Sequence, residues 1–213
     1  SDANTSNVVL EIPNHTGEME SFKMFKVQTL SSSLTINYPE IQSYVGRSTN
    51  PRDASVLRVT ITPQGFYAMV LEPDVGQYFI NPYDKNGQYY MTFLKSFVID
   101  KTHPNCEFST ENPTSERSIE ESQNQEFIVD DSTLRTYDLA LACTGEYAQF
   151  HISQAGLGGA PQNQQIAAVL SAMTVTMDRV NSVYERDFGV SMQLIPNTDQ
   201  LIFLNANTDP YTN

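Results

Sequence analysis

The chain has two cysteines, three histidines and no tryptophan among 213 residues. Two cysteines are too few for a disulfide framework, although one bridge between Cys106 and Cys143 remains open. His15 is followed by Thr, His103 by Pro and His151 by Ile, so neither an HExxH motif nor a pair of histidines one helical turn apart occurs. The chain by itself therefore lacks the residues of a histidine-rich catalytic zinc site. Positive charge is scarce too, with 12 Lys and Arg against 25 Asp and Glu and a formal net charge of -13. Sequence-independent binding of nucleic acid needs clustered cations to neutralise phosphates, and no such cluster is present. No run approaches the roughly 18 consecutive apolar residues of a membrane span, so neither nucleic acid nor membrane is an expected partner. The first ten residues, SDANTSNVVL, have no basic stretch followed by an apolar one, so a signal peptide has been removed or never existed.

What the chain does contain changes character along its length. From Met24 to about Asp100, short aromatic and β-branched runs (VLRVTITPQ, GFYAMVLEP, QYFINPY, QYYMTFLKSFVI) read as strands. The tripeptides PQG at 63–65 and KNG at 85–87 read as the turns of hairpins. In LTINYPEIQSYVG, 34–46, Pro39 suggests the start of a short helical turn. Residues 1–106 are thus expected to form a mainly antiparallel β domain. Residues 107–131 follow with eight carboxylates and one cation, Arg117, among Ser, Thr, Asn and Gln. That composition cannot bury enough apolar surface to offset its ordering entropy, and it reads as a solvated acidic linker.

Residues 132–213 have another pattern. A strand at TYDLALACT (136–144) leads through a glycine-rich loop, SQAGLGGAPQN, to a helix in which Ile166, Val169, Leu170, Met173, Met177, Val180 and Tyr184 recur at steps of three and four. Gln164, Gln165, Asp178 and Arg179 fall off this stripe, and Gly189 marks the expected stop. Strands near VSMQLI and DQLIFLN complete the start of an α/β layer with a partly parallel sheet. The expected fold class is α+β.

Few motifs carry chemistry. GLGGAP (156–161) lacks the lysine and Ser/Thr of a P-loop and reads as a loop. Cys143 and Glu146 in ACTGEY stand where catalytic groups often emerge, yet no His and Asn constellation accompanies them. A buried small thiol and a solvated carboxylate are the plainer reading. Glu146 and Asp199 are also possible oxygen ligands for calcium. Cys106 in HPNCEF lies between the β domain and the acidic segment, as a buried thiol, a disulfide half or a metal ligand. Presented to a second body, its thiolate would displace the water that a zinc hydrolase needs.

At TYDLALACTGEYAQFH and MTVTMDRVNSVYERDFGVSMQLIPNTDQLIFLNANTDPYTN the chain resembles the opening third of reprolysin-like, metzincin-clan zinc metallopeptidases found as secreted proteins in marine and gliding bacteria. FKVQTL, NYPEIQSYVG, ITPQGFYAMV and FINPYDKNGQYY resemble in order the N-terminal pro-domain of that family. The resemblance implies a secreted zymogen whose β-rich pro-domain (1–106) keeps a zinc endopeptidase latent. Residues 132–213 would then be the N-terminal strand–helix–strand part of a metzincin α/β subdomain. The histidines binding zinc and the glutamate base would lie beyond Asn213, so no catalytic residue is expected within the chain. Cys106 becomes the inhibitory zinc ligand, and Arg117 and Arg135 the activation cleavage sites. The expected partners are the remaining C-terminal part of the catalytic domain and, for the full enzyme, protein or peptide substrates. An incomplete subdomain would also need cover for its helix stripe and sheet, from that remainder, from the pro-domain or from another copy. The alternative is a non-enzymatic secreted β-rich binding or adhesion module, its aromatic strands forming a recognition face.

Overall fold

The computed structural model describes residues 8–73, 76–84, 88–95 and 133–211. Seven strands, β1 (Val9–Pro13), β2 (Met19–Val27), β3 (Gln42–Ser48), β4 (Val56–Thr62), β5 (Gly65–Glu72), β6 (Gly76–Pro82) and β7 (Tyr90–Leu94), form one antiparallel sheet in sequence order. The sheet is a meander in which turns link neighbouring apolar runs, as at 63–65, where Thr62 pairs with Gly65, except between β2 and β3, which a longer connection joins. The KNG turn lies outside the described residues, as do Cys106, Arg117, the acidic segment and the expected domain boundary at 106–107.

Alternation sends Phe22, Met24, Leu57, Val59, Ala68, Val70, Tyr78 and Ile80 into one apolar cluster on one face of the sheet. The other face carries Ser43, Arg58 and Thr60, and these polar side chains are also buried. Helix α1 (Ser32–Asn37) sits between β2 and β3 and ends before Pro39, which opens the expected turn, closed by the Ile41 N–H donating to the Tyr38 carbonyl at 3.1 Å. A proline disfavours helical backbone at the residue before it, and Tyr38 accordingly leaves the helix at φ -129°, ψ 62°.

The second part begins with β8 (Arg135–Leu139), which pairs in parallel with β9 (Val190–Leu194). Two helices intervene, α2 (Gly145–Gln154) and α3 (Gln162–Phe188). The expected single strand over 136–144 is shorter, and α2 was not foreseen. It is capped by Thr144, whose side chain accepts from the Tyr147 N–H. Helix α3 ends at Gly189, φ 63°, in the left-handed conformation that glycine adopts freely. The expected strand at DQLIFLN is a 3-10 turn, Thr198–Leu201, followed by a single parallel bridge between Cys143 and Ile202.

The two parts share a core. Val169, Leu170, Met173 and Met177 of α3 pack with Ala148, Ile152, Leu194 and Ile202, and into the same cluster come Leu30, Leu34 and Ile41 from the β2–β3 connection. Tyr184 leaves the stripe, 40% exposed and edge-to-face with Phe188. Leu30 also forms a parallel bridge with Leu194, the Leu194 N–H donating to Thr29 O at 2.8 Å and the Ser31 N–H to Leu194 O at 3.0 Å. The connection therefore meets β9 through this single bridge. On β8, Arg135, Thr136, Tyr137 and Asp138 are exposed.

One glycine is fixed by contact. A Cβ on Gly145 would lie 2.1 Å from the Ala206 backbone N and 2.3 Å from the Asn205 carbonyl carbon, because the chain at 205–206 crosses directly over the start of α2. Gly145→Ala is expected to lower stability in urea unfolding by about 2 kcal/mol or more, as overpacking against backbone does. Gly158→Ala, where nothing lies within 4 Å, is expected to leave the midpoint nearly unchanged.

Candidate functional site

Asp178 is the most buried carboxylate described, at 1% exposure, on α3 where it meets β3 and β4. The sequence placed it off the apolar stripe, and that placement holds. Its consequence does not, because the second face of α3 is buried as well. Thr174, Asp178, Asn181 and Ser182 form a polar stripe turned into the molecule.

Four donors converge on Asp178. Thr29 Oγ1 donates to Oδ1 at 2.6 Å, Arg58 Nε to Oδ1 at 3.2 Å, and Ser43 Oγ and Thr60 Oγ1 to Oδ2 at 2.6 Å each. Ser43 and Thr60 are cross-strand partners in the β3–β4 register, so one pair of facing residues supplies both donors to one oxygen. Burial pushes the Asp178 carboxyl up from the ordinary carboxylate range, and the Arg58 guanidinium and the three hydroxyls act against that.

The guanidinium continues outward. Its Nη1 and Nη2 donate to Glu185 Oε2 and Oε1 at 3.2 and 3.1 Å, and Ser191 Oγ donates to Glu185 Oε1 at 2.7 Å. One turn away, Asn181 pairs with the Met192 backbone in both directions, each hydrogen bond 2.8 Å. Arg179 donates to Asn81 Oδ1 at 2.6 Å and lies 5.0 Å from the Phe79 ring centroid. Asp178, Arg179, Asn181 and Glu185 thus each have a named partner on the sheet or on β9, whereas Ser171 and Thr174 turn back to the Ala167 and Leu170 carbonyls.

Such a carboxylate is occupied. With both oxygens engaged it has no position free for substrate or cation, and its chemistry is that of a structural anion. A cleft of about 410 Å³ opens beside it, bordered by Thr29, Ser43 and Lys26. Among the described residues that line it, Lys26 is the sole charged side chain, and these offer no acid–base pair for proton transfer.

The candidates named from sequence fall elsewhere. Cys143 is a free, buried thiol, pushed up by desolvation and so held in its weakly nucleophilic form. His151 is pushed down by burial and packs against Tyr147 and Phe150, centroids 4.4 and 5.1 Å away. Asp199 accepts a hydrogen bond from Tyr38 at 3.0 Å, and burial with this contact pushes the phenol up to about 12. Glu146 lies in the first turn of α2, apart from Asp199's 3-10 turn. Arg135 opens β8, its N–H donating to Gly189 O at 2.9 Å, so cleavage there would require unpairing the strand. In the 156–161 loop, Gln165 Nε2 donates to the carbonyls of Leu157, Gly158 and Ala160, which ties the glycine-rich segment back onto the first turn of α3.

Among the described residues no group of three or more His, Cys, Asp or Glu could hold a metal ion. No described helix is long and apolar enough to cross a membrane.

Residues 133–213 match the family model for the Metallo-peptidase family M12B Reprolysin-like. The matched segment covers β8 to the end of the chain, less than half of its length. No curated protein and no solved structure matches. The family match supports a reprolysin-like metallopeptidase relationship for the second part of the chain, and hence a protease-related fragment.

Asp178→Ala is expected to cost about 3–5 kcal/mol in urea unfolding, the usual penalty for leaving a buried guanidinium and its neighbours without their anion. Cys143 is expected to react with iodoacetamide at neutral pH only after denaturation. Prompt stoichiometric alkylation of Cys143 in the native chain, located by peptide mass spectrometry to separate it from Cys106, would restore it as a candidate nucleophile.

Proposed function

We propose that this chain is the N-terminal part of a secreted zinc metalloendopeptidase zymogen, in which the sheet domain serves as a pro-domain and keeps the protease latent. The observation that carries the reading is the metallopeptidase family match of residues 133–213. Its support in the fold is that the matched segment does not close its own core. Leu30, Leu34 and Ile41 fill it from the preceding part, as a folding aid would.

Families of this type are typically zinc-dependent. The described residues do not fit zinc, since no suitable cluster exists among them, and its main ligands are assigned to the remainder of the catalytic domain. Cys106 is proposed as the ligand that the pro-domain adds in the latent state, with calcium as a further cation of the complete enzyme. Activation is assigned to cleavage at Arg117 or Arg135. Of the two, Arg117 is favoured, because Arg135 is paired within β8. The partners of the complete enzyme are protein or peptide substrates, and its place of action is outside the cell.

The test is the complete precursor carrying Cys106→Ala. Early appearance of peptidase activity, with zinc found water-coordinated by X-ray absorption, is the expected result. Unchanged latency, or zinc that is four-coordinate with water in the wild-type precursor as well, removes Cys106 from the role. N-terminal sequencing of the activated product checks the cleavage assignment.

A further inference from the structure

The covalent link between the two parts runs through residues 96–132, but the contacts that join them do not depend on it. Besides the Arg179–Asn81 and Tyr38–Asp199 hydrogen bonds, three sets of interactions cross from the sheet domain to residues 133–211. The first is apolar, with Leu30, Leu34 and Ile41 packed against Val169, Leu170, Met173 and Leu194. The second is backbone pairing of Thr29 and Ser31 with Leu194. The third is the ion cluster, in which Arg58 and three hydroxyls surround Asp178 while the outer edge of the guanidinium grips Glu185.

Each set resists separation in its own way. Pulling the parts apart would put the apolar cluster into water and unpair one edge of β9. It would also leave Asp178, 1% exposed, and Arg58, 2% exposed, to find new partners. The buried ions affect the rate most, because opening must strip four donors from one carboxylate before water can replace them.

We propose that the sheet domain stays bound to residues 133–211 as a non-covalent partner after the connecting segment is cut, and that Asp178 with Arg58 and Glu185 is the lock that sets how slowly it leaves. A cut in the 96–132 segment then nicks the molecule without dividing it. If the chain is the front of a zymogen, cleavage is only the first of two steps to activity. The inference concerns cohesion of this chain and stands or falls independently of the protease reading.

The experiment uses the full 213-residue chain. Limited trypsin digestion, with intact-mass analysis confirming a single cut between residues 96 and 132, is followed by size-exclusion chromatography in about 0.15 M salt, where surface electrostatics are screened over roughly 8 Å. The expected result is one peak at the elution volume of the uncut chain, resolving into two bands only on a denaturing gel. Two separate native peaks would overturn the proposal.

The lock is read from the rate of separation of the nicked chain in mild urea. Asp178→Asn is expected to speed it by more than about 100-fold and Glu185→Gln, at the half-open edge of the cluster, by about 5- to 20-fold, as removal of one partner of a desolvated pair does. Should Asp178→Asn fail to fold, Glu185→Gln decides the matter alone. A nicked Glu185→Gln chain that is folded by circular dichroism and separates no faster than wild type would remove the ion cluster from the role.

Discussion

A carboxylate taken out of water must have its lost hydration replaced, and at Asp178 the replacement dictates the arrangement of the rest. Its four donors come from the β2–β3 connection (Thr29), β3 (Ser43) and β4 (Arg58 and Thr60). A slip of one residue between β3 and β4 would turn Arg58 and Thr60 to the opposite face and leave only Ser43 and Thr29 against the ion. A shift of α3 along its axis would carry Asp178 away from all four. Apolar packing tolerates small adjustments, but a buried ion with directional donors does not. This cluster therefore specifies register and helix position together, while the apolar contacts around it supply most of the burial.

Thr29 shows how closely the two requirements are joined. Its hydroxyl donates to Asp178 and its carbonyl accepts from Leu194, so one residue ties the helix to the edge of the parallel pair. The neighbouring Leu30 enters the shared core, and the Gln193 side chain donates to the Leu30 carbonyl at 3.1 Å. Two residues of the connection, Thr29 and Leu30, thus satisfy a buried ion, pair with the edge of β9 and fill an apolar gap. That edge would otherwise be open to pairing with another chain.

The amino-acid sequence made some of this legible and concealed the rest for identifiable reasons. The meander and α3 could be read because alternation and the three-and-four spacing are local signals, and Gly189 marks the helix end by its own backbone geometry. Helix α2 was missed because its ten residues bury only Gly145, Ala148 and Ile152, too few for a periodic signal, although Thr144 offered a cap. The Asp178 cluster was hidden more deeply. Arg58 and Thr60 alternate with Leu57 and Val59 just as a solvated face would, and Asp178 sits on the polar side of its helix. Alternation reveals that a strand has two kinds of face, but what covers the polar one depends on an element more than a hundred residues away. Of the candidate site residues, Arg135 was placed by the structure within a paired strand, whereas Cys106 and Arg117 fall outside the described residues.

Composition suggested a break in the chain near its acidic segment, and in covalent terms that is where the two parts join. Composition reports how well a stretch is solvated, and it cannot report which surfaces meet after folding. The family match begins at residue 133, yet the cluster that its segment forms is closed by Leu30, Leu34 and Ile41, and its most buried charge is neutralised by Arg58. The matched segment consequently shares its core with the sheet that precedes it. Any protein carrying the α3 sequence without this sheet must either supply four other donors at the position of Asp178 or replace the aspartate. Whether a chain has done one or the other is visible in residue 178 itself: a carboxylate retained there implies a covering partner with a cation and hydroxyls, and an apolar residue implies a helix that packs without one.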